Sequence, residues 1–435
     1  MTGRAGRHSV VVTGVGPIAA NGRGREEFWR AVLAGETGTR ALSFEWAVSP
    51  PFKCLVGAPV DPPPPAEALL DEAEARLLDP VTVLALAAAR MALEDAGLQP
   101  ELVDERRNRY ALPGVDPERV GTIIGTGIGG ISSVESAHTY WHDEHAIKGT
   151  FRYAVPMLIP NAPAGQVAIK FGLRGECKAV TTACAAGTMA IGDAYRLVRD
   201  GELDLAITGG VEKALGDVDG FSLIGFDVLR TVSRNNTDPE HASRPFDRDR
   251  DGFVMADGAG ILVLEREDHA RARGARILAR VTGYAATCDA HSMMALAPDG
   301  KQIVRVMRAA LASAEREPTD VVYVNAHGTA TRLNDPSEAR AIREALGSAT
   351  DGIVVSSSKA MTGHAIGGSG GIEAIVTALC LHEGVAHRCV NLEHPDPECA
   401  VVPLPRENTP LRPGVALSNS FGFGGHNACL ALESA

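Results

Sequence analysis

Four stretches of the chain put reactive side chains at turns that follow β-prone runs. Cys184 lies in Val180-Thr181-Thr182-Ala183-Cys184-Ala185-Ala186-Gly187, where such a run ends and a good helix follows at once. A thiol at a helix N-terminus feels the macrodipole, which favours the thiolate and lowers its pKa. The small residues after it let a substrate approach closely. Taken alone, the same junction suits a buried structural cysteine equally well. His327, in Val324-Asn325-Ala326-His327-Gly328-Thr329-Ala330-Thr331, stands just past a strand end, where imidazole can donate to or accept from a substrate carbonyl. A lone histidine there is more often a hydrogen-bonded structural residue. Lys359 and His364 flank a turn in Ser357-Ser358-Lys359-Ala360-Met361-Thr362-Gly363-His364, ahead of the glycine-rich run Gly367 to Gly371 and an apolar helix. That run could cradle a phosphate, but it lacks the GxxxxGK[ST] order of a nucleotide loop. The fourth stretch, Asn419-Ser420-Phe421-Gly422-Phe423-Gly424-Gly425-His426-Asn427, is glycine-spaced and aromatic. Glycines bring amide N–H groups close to a ligand, as in an oxyanion hole, although a mobile loop between two strands would read the same way.

The elements that must position these groups alternate in type. Short β-branched runs at 9–13, 120–125, 205–208, 260–264, 321–325, 353–356 and 415–418 are separated by helical patterns at 26–33, 80–95, 164–171, 185–199, 303–314, 336–346 and 370–381. This is α/β layering. Several strands stop at glycine-containing turns, at Gly14, Gly125, Gly209 and Gly328, where such folds place ligands and catalysts. At 435 residues the chain exceeds one ordinary core. We divide it inside the polar stretch Glu267 to Gly274, into halves 1–269 and 270–435, without a sequence repeat strong enough to show duplication.

Composition excludes several function classes. An apolar fraction of 45% with 22% charged residues is that of a globular protein, not a disordered one. A net charge of −12 repels phosphate backbones, and the densest arginine stretch, Arg266 to Arg280, alternates with acids and reads as a solvated helix face, so no nucleic acid is expected. The most apolar window, Val81 to Leu93, contains Arg90 and is short of the roughly 20 residues that span a bilayer, and the N-terminus has no secretory apolar core. A cytoplasmic location and no membrane partner are expected. The eight cysteines form no CxxC pair, so neither a metal site nor a disulfide framework is indicated.

In this order the four stretches resemble the condensing enzymes of the 3-oxoacyl-[acyl-carrier-protein] synthase II type. The resemblance extends through Val10-Val11-Val12-Thr13-Gly14-Val15-Gly16, Gly125-Thr126-Gly127-Ile128-Gly129-Gly130, Ser243-Arg244-Pro245-Phe246-Asp247 and Asp251-Gly252-Phe253-Val254. It implies a thiolase-like, five-layer αβαβα fold of two similar halves, normally dimeric. It implies an acyltransferase of fatty-acid or type II polyketide biosynthesis, which condenses malonyl-carrier with a Cys-bound acyl chain to a 3-oxoacyl product. Cys184 would be the nucleophile, His327 and His364 would stabilise the enolate, and the N–H groups of Cys184 and Phe423 would form the oxyanion hole. Lys359 would order the histidines with Glu338 and Glu373. Thr329 and Thr331 would hold the carrier's phosphopantetheine arm, Ile128 and Phe226 would wall the acyl pocket, and Phe423 would gate it. No cofactor bound by the chain itself is implied.

The chain departs from that pattern in ways that bear on partners. His426 replaces a threonine in the closing loop, Pro336 a lysine and Ala256 a glycine. Where relatives carry lysines for an acidic carrier, this chain reads Asp71-Glu72-Ala73-Glu74-Ala75-Arg76. Carrier docking is therefore expected at Arg230, helped by Arg76, Lys148 or Arg152. The partner is an acyl carrier protein, with the chain paired to a copy of itself or to a chain-length-factor-like subunit. The alternative is a catalytically silent partner or scaffold subunit, against which the presence of Cys184, His327, His364 and Lys359 argues.

Overall fold

The computed structural model describes residues 7–44, 53–144, 152–215 and 220–435. In the first half, the elements that position the site are β1 (Val10–Ala19), α1 (Pro80–Asp95), β2 (Val120–Gly125), β3 (Cys177–Val180), α2 (Ala186–Arg199), β4 (Leu205–Lys213) and β5 (Asp257–Arg266). In the second they are β6 (Ala279–Cys288), α3 (Lys301–Ala314), β7 (Val321–Asn325), α4 (Asn334–Leu346), β8 (Val354–Ser356), α5 (Ser369–Glu383), β9 (Val415–Gly422) and β10 (His426–Glu433).

The strands run spatially as β8-β7-β9-β10-β6 and then β1-β5-β4-β2-β3. Each half repeats the other's order, because adding five to every label of 3-2-4-5-1 gives 8-7-9-10-6. The pairings repeat as well: β2 is parallel to β3 and β4, and β7 is parallel to β8 and β9. The remaining strands of each half are antiparallel. The duplication that the amino acids do not show is plain in the topology. Sequence patterning located seven of these ten strands and missed β3 and β6, which are partly exposed, and β10, which is buried from Asn427 to Leu432 and so shows no alternation.

Helices α2 and α5 lie between the two sheet halves, α1 covers β1 and β5, and α3 covers β6 and β10, which gives five layers. A local signal starts α1 where it must. Asp79 accepts from the Val81 N–H at 2.9 Å and Pro80 opens α1, both preferred N-terminal features. Glycine is required where the central layer closes. A Cβ on Gly371 would fall 2.1 Å from the Gly260 carbonyl oxygen, and one on Gly187 would fall 2.8 Å from the Gly371 nitrogen. The run Gly367 to Gly371 is thus buried backbone packing, not a phosphate cradle. Among the described residues no helix is long and apolar enough to cross a membrane.

The arginines of 266–280 do more than face water. Arg273 pairs with the fully buried Glu265 at 2.7 Å, Arg276 with Asp95 at 2.6 Å, and Arg280 with Glu267 at 3.0 Å. These acids all belong to the first half, and Arg280 also donates to the Ser434 carbonyl of the second at 3.1 Å, so the junction is tied to both.

His387 is fully buried, with Nε2 3.2 Å from both the Tyr323 hydroxyl and Ser356 Oγ, so it ties β7 to β8 behind the site. Burial lowers its pKa to about 4. The folded protein therefore refuses a proton that the unfolded chain accepts below its ordinary value of about 6.5, and stability falls with pH across that interval by up to about 3 kcal/mol. Urea titrations at stepped pH should show a shallower loss for His387→Gln than for wild type between about pH 6.5 and 4. Parallel curves would refute this contribution.

Candidate active site

The strand order assembles the site. Strands β7, β8 and β9 are mutually parallel neighbours, so their C-terminal ends bring His327, the Lys359–His364 turn and Phe423 to one edge. Cys184 comes from the other half, on a 3-10 turn, Ala183–Ala185, between β3 and α2. Ala183 is held at φ +49, a strained conformation for a residue with a Cβ, immediately before the thiol. A Cβ on Gly422 would lie 3.1 Å from the Cys184 nitrogen, so the closing loop packs directly against the backbone of the nucleophile candidate.

One expectation is reversed. Burial pushes the Cys184 thiol up to about 12, against the lowering pull of Lys359, and Glu212 adds to the rise. The helix N-terminus does not win, because the thiol lies among apolar groups, Ile128, Phe226, Phe253 and Ile366 among them, that solvate a thiolate poorly.

Both histidines are buried, 4% and 2% exposed, and their rings meet nearly at right angles with centroids 5.4 Å apart. Burial and the Lys359 charge hold both well below the usual histidine range, so both are neutral at pH 7. His364 Nδ1 is 2.9 Å from Ser369 Oγ. His327 Nδ1 is 3.4 Å from Lys359 Nζ, which also donates to the His327 carbonyl at 2.6 Å. An ammonium only donates, so His327 Nδ1 is the acceptor and Nε2 carries the proton.

The two acids divide the work. Glu373 pairs with Lys359, and its pKa is raised by burial to about 7. Glu338 does not reach Lys359; it accepts the backbone N–H groups of His327 and Gly328, each at 2.8 Å, which fixes the histidine turn.

Cys184, His327 and His364 open into a cavity of about 300 Å³. Its rings touch in series: Phe421 on His327 at 5.5 Å, Phe253 on His364 at 5.2 Å, Phe226 on Phe253 at 5.3 Å and Phe423 on Phe226 at 5.8 Å. Thr329 and Thr331 line the wall with hydroxyls 3.1 Å apart, and Arg230 is exposed at the mouth. Ile128 does not line the cavity; it packs behind it with Cys184 and Phe226. Arg76 and Arg152 are exposed but not part of its wall, and Lys148 lies outside the described residues.

Several contributors escaped sequence reasoning. Phe253, Phe421 and Ser369 contact the histidines, and Arg332 joins Arg230 at the mouth. Glu212 is fully buried and accepts from Thr126 Oγ1 at 2.9 Å, Gly127 N at 2.6 Å and Gly367 N at 2.9 Å, joining loops on both sides of the site. A glutamate inside the buried run Leu205–Lys213 was its available signal, since a buried carboxylate needs partners.

Residues 7–270 match the family model for the beta-ketoacyl synthase N-terminal domain, and residues 278–393 match that for its C-terminal domain. The chain is 42% identical over 431 residues to 3-oxoacyl-[acyl-carrier-protein] synthase 2 of Synechocystis, covering 98% of this chain and 97% of the relative. Among solved structures, a chain from a type II PKS acyl-carrier protein in complex with its ketosynthase, bound to the hexaketide, superposes with a TM-score of 0.85. It is 31% identical, over 99% of this chain and 100% of that one. The ishigamide ketosynthase/chain length factor superposes equally, with a TM-score of 0.85 at 29% identity, over 99% of this chain and 100% of that one.

Proposed function

The chain belongs to the beta-ketoacyl synthase family, and on that premise we propose how its own residues carry out the condensation. It is an acyltransferase of the 3-oxoacyl-[acyl-carrier-protein] synthase type, acting in fatty-acid or type II polyketide biosynthesis. The carrying observation is the convergence of a partly open thiol and two neutral imidazoles on one apolar cavity.

In the first half-reaction, Cys184 Sγ attacks the thioester of an acyl chain borne on the carrier's arm, and the thiol proton ends on the departing arm thiol. The high thiol pKa keeps Cys184 protonated until a donor is seated, so acylation and proton transfer are coupled. The malonyl-carrier then enters along Thr329 and Thr331. Its carbon–carboxylate bond breaks and releases carbon dioxide, while the electron pair moves into an enolate whose oxygen is met by the Nε2–H groups of His327 and His364. Donors preorganised in this way contribute roughly 10²–10³-fold each in related sites. The enolate carbon attacks the acyl carbonyl. The tetrahedral oxyanion rests on the Cys184 and Phe423 N–H groups and collapses to the 3-oxo product, and the released Cys184 thiolate takes up a proton. The reaction balances without a metal or a cofactor held by the chain.

The partner is an acyl carrier protein docking at the cavity mouth, and the subunit works paired with a copy of itself or with a chain-length-factor-like chain. Arg230→Glu should raise KM for carrier-bound substrate about tenfold at low salt, with the penalty shrinking as salt is added. An unchanged KM would place docking elsewhere. Intact-protein mass spectrometry tests the whole reading: acyl-carrier should leave an acyl adduct on the chain, and malonyl-carrier should discharge it into a longer 3-oxo product. Free acid in place of that product would indicate a thioester hydrolase. No adduct, even with a chain-length-factor-like partner added, would indicate the silent subunit.

A further inference from the structure

Arg250 is 4% exposed, and its guanidinium is used on every side. Nε donates to the Thr331 carbonyl at 3.0 Å and Nη2 to the Arg332 carbonyl at 3.2 Å. Nη1 donates to the Asp247 carbonyl at 2.7 Å and to Asp396 at 2.6 Å, and buried Asp335 lies 3.8 Å from Nε. Burying a cation costs several kcal/mol before its partners are counted, and well-packed apolar residues often serve stability as well. What a planar fork offers beyond stability is geometry, because it sets the spacing of two consecutive carbonyls.

Those carbonyls belong to a segment that needs an outside tether. Residues 326–331 have no regular structure, 332 and 333 form a turn, and Ala330 sits at φ +65. The opposite face of the same segment presents Thr329, Thr331, Arg332 and Leu333 to the cavity. Asp335, beside the guanidinium, accepts the Phe246 N–H at 2.8 Å and so locks the start of α4 to the Arg250 loop. We infer that Arg250 is a positioning residue that holds the 329–333 wall of the cavity from behind and thereby sets the affinity for arm-borne thioesters, leaving the bond-making groups at Cys184 untouched. This rests on the reading of Thr329 and Thr331 as contacts of the arm.

The test compares Arg250→Lys, which keeps a positive charge but not the fork, with Thr331→Val. Both are assayed with malonyl-carrier and with carrier-free malonyl-pantetheine. The expectation for Arg250→Lys is a KM raised about tenfold for both donors, the equivalent of one or two lost hydrogen bonds, with kcat changed by less than about threefold. Alkylation of Cys184 by iodoacetamide should stay within about twofold, because nothing Arg250 touches forms the thiol's turn. A raised KM confined to the carrier-borne donor would make Arg250 a docking support and overturn the inference. So would a fall in kcat with KM unchanged, or a parallel change in alkylation. An unchanged KM in Thr331→Val would instead show that the arm reading is wrong. Asp396→Asn removes one anchor from a more exposed position; folded protein with a KM raised about threefold supports the inference, and folded protein with wild-type KM overturns it.

Discussion

Cys184→Ala will lower condensation on the order of 10⁶-fold while the fold stays intact, as expected when a covalent catalyst loses its nucleophile. The substitution removes one sulfur from a partly open position, so the near-ultraviolet circular dichroism and Tm should stay close to wild type. The adduct seen with acyl-carrier should vanish with the activity. The prediction is sharp because the competing thiols are distinguishable. Cys54, Cys380, Cys389, Cys399 and Cys429 are buried, and Cys177 and Cys288 are exposed and stand outside the cavity. Retention of more than about one hundredth of wild-type rate would break the covalent route, since a bypass through the oxyanion hole and binding alone is far weaker. A silent subunit, by contrast, would show no difference between the two proteins.

The second large effect concerns Lys359, 1% exposed and paired with Glu373. Lys359→Met should destabilise the fold by about 3–5 kcal/mol at pH 8, because buried Glu373 must then either stay charged without its partner or hold a proton that the unfolded chain has released. The sign of the pH dependence follows from Glu373. With Lys359 present its pKa is already about 7, and without that charge it moves higher. The folded variant then keeps a proton that the unfolded chain has released, so its stability falls as pH rises, and the gap to wild type widens above about pH 7. Below that, Glu373 is protonated in both folded proteins and the gap narrows. Adding Glu373→Gln should recover most of the stability, because an uncharged amide needs no cation. It should not recover activity. His327 would still lack the donor at Nδ1 that fixes its tautomer, and a loss of roughly 10²-fold or more should persist, as for one oxyanion-type donor. Equal recovery of stability and rate would mean that Lys359 serves only the fold.

The chemistry of the site was legible in residue types because turns at strand ends are local objects. Cys184, His327, Lys359 and Phe423 each stand within a few residues of a strand end, His364 follows after one short helical turn begun by Lys359, and the structure brings all of them to one place. Thr329 and Thr331, two apart in sequence, share a wall for the same reason. Legibility failed where an effect depends on what surrounds a group. The thiol's position before a helix suggested an acidic cysteine, whereas its apolar neighbours, drawn from four separate segments, hold it near 12. The arginines of 266–280 alternated like a solvated face, yet their acids come from 95, 265 and 267.

By itself, the order of residues determined the alternation of strands and helices, the turns that carry the reactive groups and the family that uses them. Those features depend on neighbours in the chain, and periodicity and small residues record them. The tertiary structure alone decided that the two halves repeat one topology, that Glu338 fixes a backbone while Glu373 meets the lysine, and that Glu212 and Arg250 belong to the site at all. The repeat is a matter of strand order. The others are contacts between separate elements, from 10 residues apart for Glu338 and Gly328 to 155 for Glu212 and Gly367, formed where three parallel strand ends and a turn from the opposite half converge. A buried charge finds its partner across that distance, and its value to the protein is set by the desolvation it escapes there.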